Sequence, residues 1–266
     1  MTRRSAHPAY LASAALAAAL VLSGCTATQQ PESNSTPSGS VEADLSAVSP
    51  ALAAYDAEVV QALWQREELS ARDRSLVTVA QLVASGQETD LDRYVERALE
   101  DGVRPAELSE AVTHLAFYSG WQNAMTAVPV LAAVYDRRGV SADELPELDP
   151  ELLPLDETAE AARADQVESD FGATAPGVVA NTTDVLFQDL WLRPDLAPRD
   201  RSLITVVALI SSGQVQQIPF HLNRAVDNGL TEQEVAETLN HLAFFAGWPR
   251  IFSAMPVVRD TLDARN

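Results

Sequence analysis

The chain repeats itself, and the repeat limits its fold more than any other feature. Arg72-Asp73-Arg74-Ser75-Leu76 returns 127 residues later as Arg199-Asp200-Arg201-Ser202-Leu203. The same offset, without a gap, carries Leu63-Trp64 onto Leu190-Trp191, Ser85-Gly86-Gln87 onto Ser212-Gly213-Gln214, and Arg97-Ala98 onto Arg224-Ala225. It then carries Glu107 onto Glu234, Glu110 onto Glu237, His114-Leu115-Ala116-Phe117 onto His241-Leu242-Ala243-Phe244, Gly120-Trp121 onto Gly247-Trp248, and Pro129 onto Pro256. An ungapped match of this extent records a duplication, so the folded body is two copies of one unit.

Each copy reads as helical. Leu76, Val79, Ala80 and Val83 recur at helical spacing, as do Leu203, Val206, Val207 and Ile210. Ser70 with Asp73 resembles a capping box, Pro198 suits a first helical turn, and Gly86 and Gly213 suit C-terminal stops. A second helix is predicted over 91–100 and 218–227, ending at Asp101-Gly102 and Asn228-Gly229. A third opens at Pro105, and in the other copy at the capping box Thr231-Glu232-Gln233-Glu234, and runs to Gly120 or Gly247. A fourth is predicted over 123–135 and 250–262. No stretch alternates with period two, so the fold class is all-α, a tandem duplication of one helical module. The expected modules are 50–140 and 170–266. They are joined over 141–169 by an acidic, Pro-rich connector and one linking helix.

The N-terminus reads as an address and a tether. Arg3 and Arg4 precede an apolar run, Ala9 to Leu22, too short to span a bilayer comfortably. The run ends in Leu22-Ser23-Gly24-Cys25, which resembles a bacterial lipobox, and Cys25 is the only cysteine in the chain. Residues 1–25 are therefore expected to be a lipoprotein signal, with Cys25 acylated and the protein anchored by lipid on the extracytoplasmic face. Residues 26–49, rich in Ser, Thr and Pro, are expected to be a disordered tether. The formal net charge is −20, with 18 basic residues, all arginine, against 38 acidic ones. Such a surface repels nucleic acid and leaves the lipid anchor as the expected membrane contact.

Leu190-Trp191, Arg199-Asp200-Arg201-Ser202-Leu203, Ile218-Pro219-Phe220-His221-Leu222, Asn228-Gly229, Glu234, Glu237 and His241-Leu242-Ala243-Phe244-Phe245-Ala246-Gly247-Trp248-Pro249 together resemble the carboxymuconolactone decarboxylase family. The resemblance covers copy two and, more weakly, copy one. It implies a fold similar to the alkylhydroperoxidase-D proteins and an assembly in which a fused double module forms a homotrimer, like a six-module ring. The redox branch of that fold works through a Cys-x-x-Cys pair with a nearby His and Glu. Here the pair would fall at Ile218 and His221, the His at Ala225 and the Glu near Ser202. Without a thiol in the folded body, dithiol peroxidase or disulfide reductase chemistry is excluded.

The decarboxylase branch implies loss of carbon dioxide from a carboxylated unsaturated lactone, with the lactone carbonyl as electron sink and no cofactor. That chemistry needs an acid/base group and cationic or hydrogen-bonding groups around a small anion. The candidate catalytic set is His221, Glu237 and His241. Glu237 and His241 are four residues apart on one helix, and a carboxylate there would raise and orient the imidazole. Arg199 and Arg201 are candidate carboxylate binders, with Phe220 and Trp248 as candidate pocket walls. The competing readings are a buried Glu–His pair, ion pairs of the arginines with Asp200, Glu234 or Glu237, and aromatics that are core, as Trp64 and Trp191 are expected to be. Copy one carries Tyr94 where copy two carries His221, so copy two is expected to be the active half. A metal held by His221, Glu237 and His241 is a further reading that nothing in the spacing specifies. Two functions follow: a lyase acting on a small carboxylated lactone or related acid, or a tethered helical scaffold without catalysis.

Overall fold

A computed structural model of the chain describes residues 45–265. The expected signal, nearly all of the expected tether, and Cys25 lie outside those residues. The first helices are short: α1 (Leu45–Val48), α2 (Pro50–Tyr55) and α3 (Gln61–Trp64), with a π-helical turn at Asp56–Val60 between the last two. Helix therefore begins five residues inside the stretch read as tether, where Leu45-Ser46-Ala47-Val48 replaces the Ser/Thr/Pro composition.

Copy one continues with α4 (Ala71–Ala84), α5 (Leu91–Glu100), α6 (Pro105–Ser119) and α7 (Trp121–Arg138). The connector carries α8 (Glu157–Phe171), and copy two opens as copy one does, with a short helix, α9 (Pro176–Asn181), that runs on into a π-helical turn at Thr182–Phe187. Copy two supplies α10 (Pro198–Ser212), α11 (Ile218–Asp227), α12 (Glu232–Phe245) and α13 (Trp248–Asp263). Every described element is helical, as the pattern predicts. The caps are the expected ones: Ser70 Oγ accepts from the Asp73 N–H at 3.1 Å, and Thr231 and Glu234 form a reciprocal box. The fourth helices start two residues earlier than predicted, directly after a glycine, Gly120 in copy one and Gly247 in copy two. Gly120 (φ 92°, ψ 142°) and Gly247 (φ 90°, ψ 144°) hold a backbone conformation that only glycine adopts without strain.

Helices α4 and α10 pack on each other at the centre. Asp73 to Ala84 and Asp200 to Ser211 are buried without exception, so each helix is enclosed on every face. Each touches the third helix of the opposite copy: α10 packs on α6, and α4 on α12. One contiguous apolar core, from Trp64 to Val258, draws on both copies, and the described residues form one unit rather than two modules on a linker. The N-termini of α4 and α10 are locked by a charge ring. Arg72 pairs with Asp73, Glu107 and Asp200, and Arg199 with Asp73, Asp200 and Glu234. Among the described residues no helix is long and apolar enough to cross a membrane.

Candidate functional site

The crossing of α4 with α12, and of α10 with α6, builds two polar clusters related by the repeat. Each takes its arginines and tryptophan from one copy and its Glu–His pair from the other.

In the first, the His241 cluster, Glu237 of α12 accepts from Arg66 Nε at 2.8 Å and lies 2.8 Å from Arg74 Nη2. Burial pushes the Glu237 carboxyl up, but hydrogen bonds from Arg66 and Arg74 outweigh it and hold it below the usual range. His241 does not lean on Glu237. Its Nε2 meets Thr78 Oγ1 at 2.8 Å, and that hydroxyl already donates to the Arg74 carbonyl at 2.8 Å. The threonine can then only accept, which makes Nε2 the protonated ring nitrogen. Burial, followed by the Arg74 charge, pushes His241 down to about 3. The expectation that Glu237 raises the imidazole is therefore corrected: the carboxylate is spent on two guanidiniums. Trp64 lies edge-on to His241 and stacks on Tyr94, and Phe245 stacks on His241.

In the second, the His221 cluster, Glu110 of α6 accepts from Arg193 Nε at 2.8 Å and Arg201 Nη2 at 3.1 Å. His114 is pinned as its counterpart is, with Nε2 2.7 Å from Thr205 Oγ1, which donates to the Arg201 carbonyl. Its Nδ1 faces Arg201 Nη1 at 3.4 Å, and burial and then that charge hold it well below the ordinary value. His221 stacks on Trp191 at 6.0 Å and stands edge-on to Tyr118 at 5.2 Å. Burial, with Arg224 beside it, lowers His221 to about 4. Trp191 Nε1 donates to Tyr118 Oη at 2.8 Å, and burial raises the Tyr118 phenol, so it keeps its proton.

The expected triad is thus divided. His221 sits with Glu110, His114 and Arg201, while Glu237 and His241 belong to the other cluster, so no single cavity in copy two gathers them and no metal set forms from them. Among the described residues no group of three or more His, Cys, Asp or Glu side chains is placed to hold a metal ion. Arg201 lies in the His221 cluster, fully buried. Arg199 has three carboxylate partners in the charge ring, which is the structural alternative to a substrate contact. Phe220 abuts His221 and Phe187. Trp248 is half-exposed against Phe244 and lines neither cluster.

Several residues here escaped sequence reasoning: Arg66 and Arg193, Thr78 and Thr205, Tyr118 and Arg163. The first two pairs obey the 127-residue offset and were open to detection by it. Arg163, on the connector helix α8, has no counterpart. It forks onto Glu160 and lies over Phe187, 4.4 Å from its centroid.

The clusters differ in charge. Among the described residues, three guanidiniums of the His241 cluster (Arg66, Arg74, Arg97) pair with three carboxylates (Glu68, Glu237, Asp101). In the His221 cluster four guanidiniums (Arg163, Arg193, Arg201, Arg224) face two carboxylates (Glu160, Glu110). Arg201 Nε, Arg224 Nε, Arg163 Nη1 and His221 Nδ1 are buried there without a hydrogen-bond partner, as are Arg74 Nε, Arg74 Nη1 and His241 Nδ1 in the other cluster, so the ion-pair balance is what sets the two apart. An excess of cations inside a strongly acidic protein is an environment that favours an anion.

Comparison with known proteins agrees with this architecture. The model of the carboxymuconolactone decarboxylase family matches twice, over residues 50–133 and 176–260. The chain is 32% identical over 72 residues to 4-carboxymuconolactone decarboxylase of Acinetobacter baylyi, covering 27% of this chain and 54% of the relative. It is 32% identical over 81 residues to nitrosuccinic acid decarboxylase of Metarhizium robertsii, covering 30% of this chain and 57% of the relative. The chain thus spans little more than half the length of these curated relatives. With both repeats matched, the chain belongs to the carboxymuconolactone decarboxylase family.

Proposed function

We propose that the chain is a cofactor-free carboxy-lyase that acts on a small carboxylated acid at the His221 cluster, with residues from both copies. The observation that carries this reading is the surplus of guanidiniums over carboxylates in that cluster, which among the described residues its counterpart lacks. Both relatives named above are decarboxylases, one of a carboxylated lactone and one of a nitro acid. Both names carry an acid together with a group that can accept electrons, a lactone in one and a nitro group in the other.

Decarboxylation breaks a carbon–carbon bond and leaves its electron pair on the substrate. The pair moves into a carbonyl or other sink, and a proton then returns to carbon. Arg224 and Arg201 are suited to hold the anion and to spread the charge that develops on the sink. His221 is the group suited to move the proton. Its neutrality follows from burial and the Arg224 cation, and an anion bound to Arg224 offsets that cation, raising the imidazole towards the range of a working acid/base. His114 and Glu110 are positioning groups. Thr205 and Arg201 lock the His114 ring, and Glu110 holds Arg193 and Arg201 in place.

Carbon dioxide release from a panel of carboxylated lactones and nitro acids tests the reading. The expected result is turnover of at least one compound, a loss of about 10²–10⁴-fold in His221→Ala, and near-normal turnover in His241→Ala once corrected for folded protein. Equal rates for His221→Ala and the parent protein would remove the proposed proton carrier.

A further inference from the structure

The two clusters come from the same ancestral sequence, yet among the described residues only the His221 cluster has an arginine without an ion-pair partner, and the difference traces to one side chain. In copy one, Asp101 sits four residues after Arg97 and accepts from its Nε at 3.4 Å, while also accepting from Ser75 Oγ at 2.5 Å. With its charge met, Arg97 lies flat on Trp64, 3.6 Å from the ring centroid. The equivalent of Asp101 in copy two is Asn228. It keeps the serine contact, donating from Nδ2 to Ser202 Oγ at 2.9 Å, with a second contact to the Pro198 carbonyl at 3.3 Å, but it brings no charge. Arg224, the equivalent of Arg97, is left without a carboxylate partner among the described residues. Its Nε is buried and unpaired, and its guanidinium stands 4.4 Å above Trp191 and 5.4 Å from the Phe187 centroid.

We propose that Asn228 is the specificity-determining residue that keeps the His221 cluster open to acids: by withholding the carboxylate that neutralises Arg97 in copy one, it leaves Arg224 free to bind the carboxylate of a ligand. This deepens the lyase reading and rests on it, because it takes the His221 cluster as the anion site. The molecule supplies its own control, since the arginine and acid at this i, i+4 spacing pair in copy one. A carboxylate at 228 would compete with any ligand at Arg224 from a position already within reach.

Isothermal titration of the full chain with succinate, a small acid with a carboxylate at either end, tests this in three variants. Arg224→Gln is expected to weaken binding at least tenfold. Asn228→Asp is expected to weaken it by a comparable factor, because the new carboxylate occupies the guanidinium. Asn228→Ala, which loses the Ser202 contact but adds no charge, is expected to bind within about threefold of the parent. Circular dichroism melts show whether each variant is folded. Were Arg224→Gln to weaken binding while Asn228→Asp bound as the parent does, the Asn228 proposal alone would fall. A weakening in Asn228→Ala equal to that in Asn228→Asp would also overturn it, since the residue would then act through structure. Absence of succinate binding in the parent, or none lost in Arg224→Gln, would overturn the anion-site reading as well.

Discussion

At the residue scale the protein holds three imidazoles under one core and keeps them neutral. His114, His221 and His241 are buried, and in each the first cause of the lowered value is burial, followed by a nearby arginine. An unfolded histidine binds its proton near pH 6.5. Between that value and the folded values, about 4 for His221 and about 3 for His241, the unfolded chain binds more protons than the native one. Stability is therefore fully present above pH 6.5 and declines as pH falls towards 4, by up to about 1.4 kcal/mol per pH unit for each histidine. Urea midpoints measured from pH 7.5 to 4.5 should fall on the acidic side, and His241→Gln should shallow that slope. A midpoint that rises with acidification would mean that the imidazoles are charged in the native state. The Arg201–Glu110 and Arg74–Glu237 pairs follow a different rule. Both are nearly sealed from solvent, so removing either carboxylate strands a buried cation, at a cost of about 3–5 kcal/mol. Their value is in fixing one arrangement of four helices.

At the element scale, most of the fold was legible. The apolar spacing of Leu76, Val79, Ala80 and Val83, the Thr231–Glu234 box and the glycine stops each act within one or two turns, and such local chemistry survives any tertiary arrangement. The early helix α1 was missed because composition carried the polar tether to residue 49, over the Leu45-Ser46-Ala47-Val48 turn. The site was less legible for a physical reason. The i, i+4 spacing shows that Glu237 and His241 share a face, but a duplicated chain offers each face two equivalent partners, its own copy and the other. The third helices touch both copies, but their Glu–His pairs face the other one: Glu237 and His241 meet Arg74 and Thr78, and Glu110 and His114 meet Arg201 and Thr205. The third and fourth helices are joined by Gly120 in copy one and by Ala246-Gly247 in copy two. Gly247→Ala should cost about 1–3 kcal/mol, since φ of 90° with ψ of 144° admits little but glycine. Open space around a Cβ at Gly120 means that Gly120→Ala should lose a similar amount through the backbone alone. Chemical denaturation of both variants checks this, and an unchanged midpoint in either would show that the junction relaxes.

At the scale of the whole molecule, duplication has produced two clusters and let them diverge. The connector runs between the copies in only one place, and its structure gathers on the His221 cluster. Arg193 donates to the carbonyls of Glu147 and Leu148, and Arg163 of α8 caps Phe187. A duplicated dimer joined by one linker thereby loses its symmetry and gains a site that can specialise. The surface keeps its repeat. Phe117, Trp121, Met125 and Val128 are matched at the same offset by Phe244, Trp248, Phe252 and Met255, and Trp121 and Trp248 are 60% and 50% exposed. We read these matched apolar faces as joints between chains, two per molecule, as a closed ring of three requires. Light scattering should give the mass of a trimer for the parent and a smaller species for the double variant Trp121→Arg with Trp248→Arg. A monomeric parent would contradict that assembly.

The central claim is that small acids bind where His221 of one copy meets Glu110 and His114 of the other. Imidazole nitrogen NMR reads this directly, because only three histidines lie in the described body, and each signal is assigned by a single His→Gln variant. On titration with succinate the account predicts that the His221 and His114 signals move together along one binding curve while His241 stays still. Movement of His241 with His221 and His114 silent would contradict it.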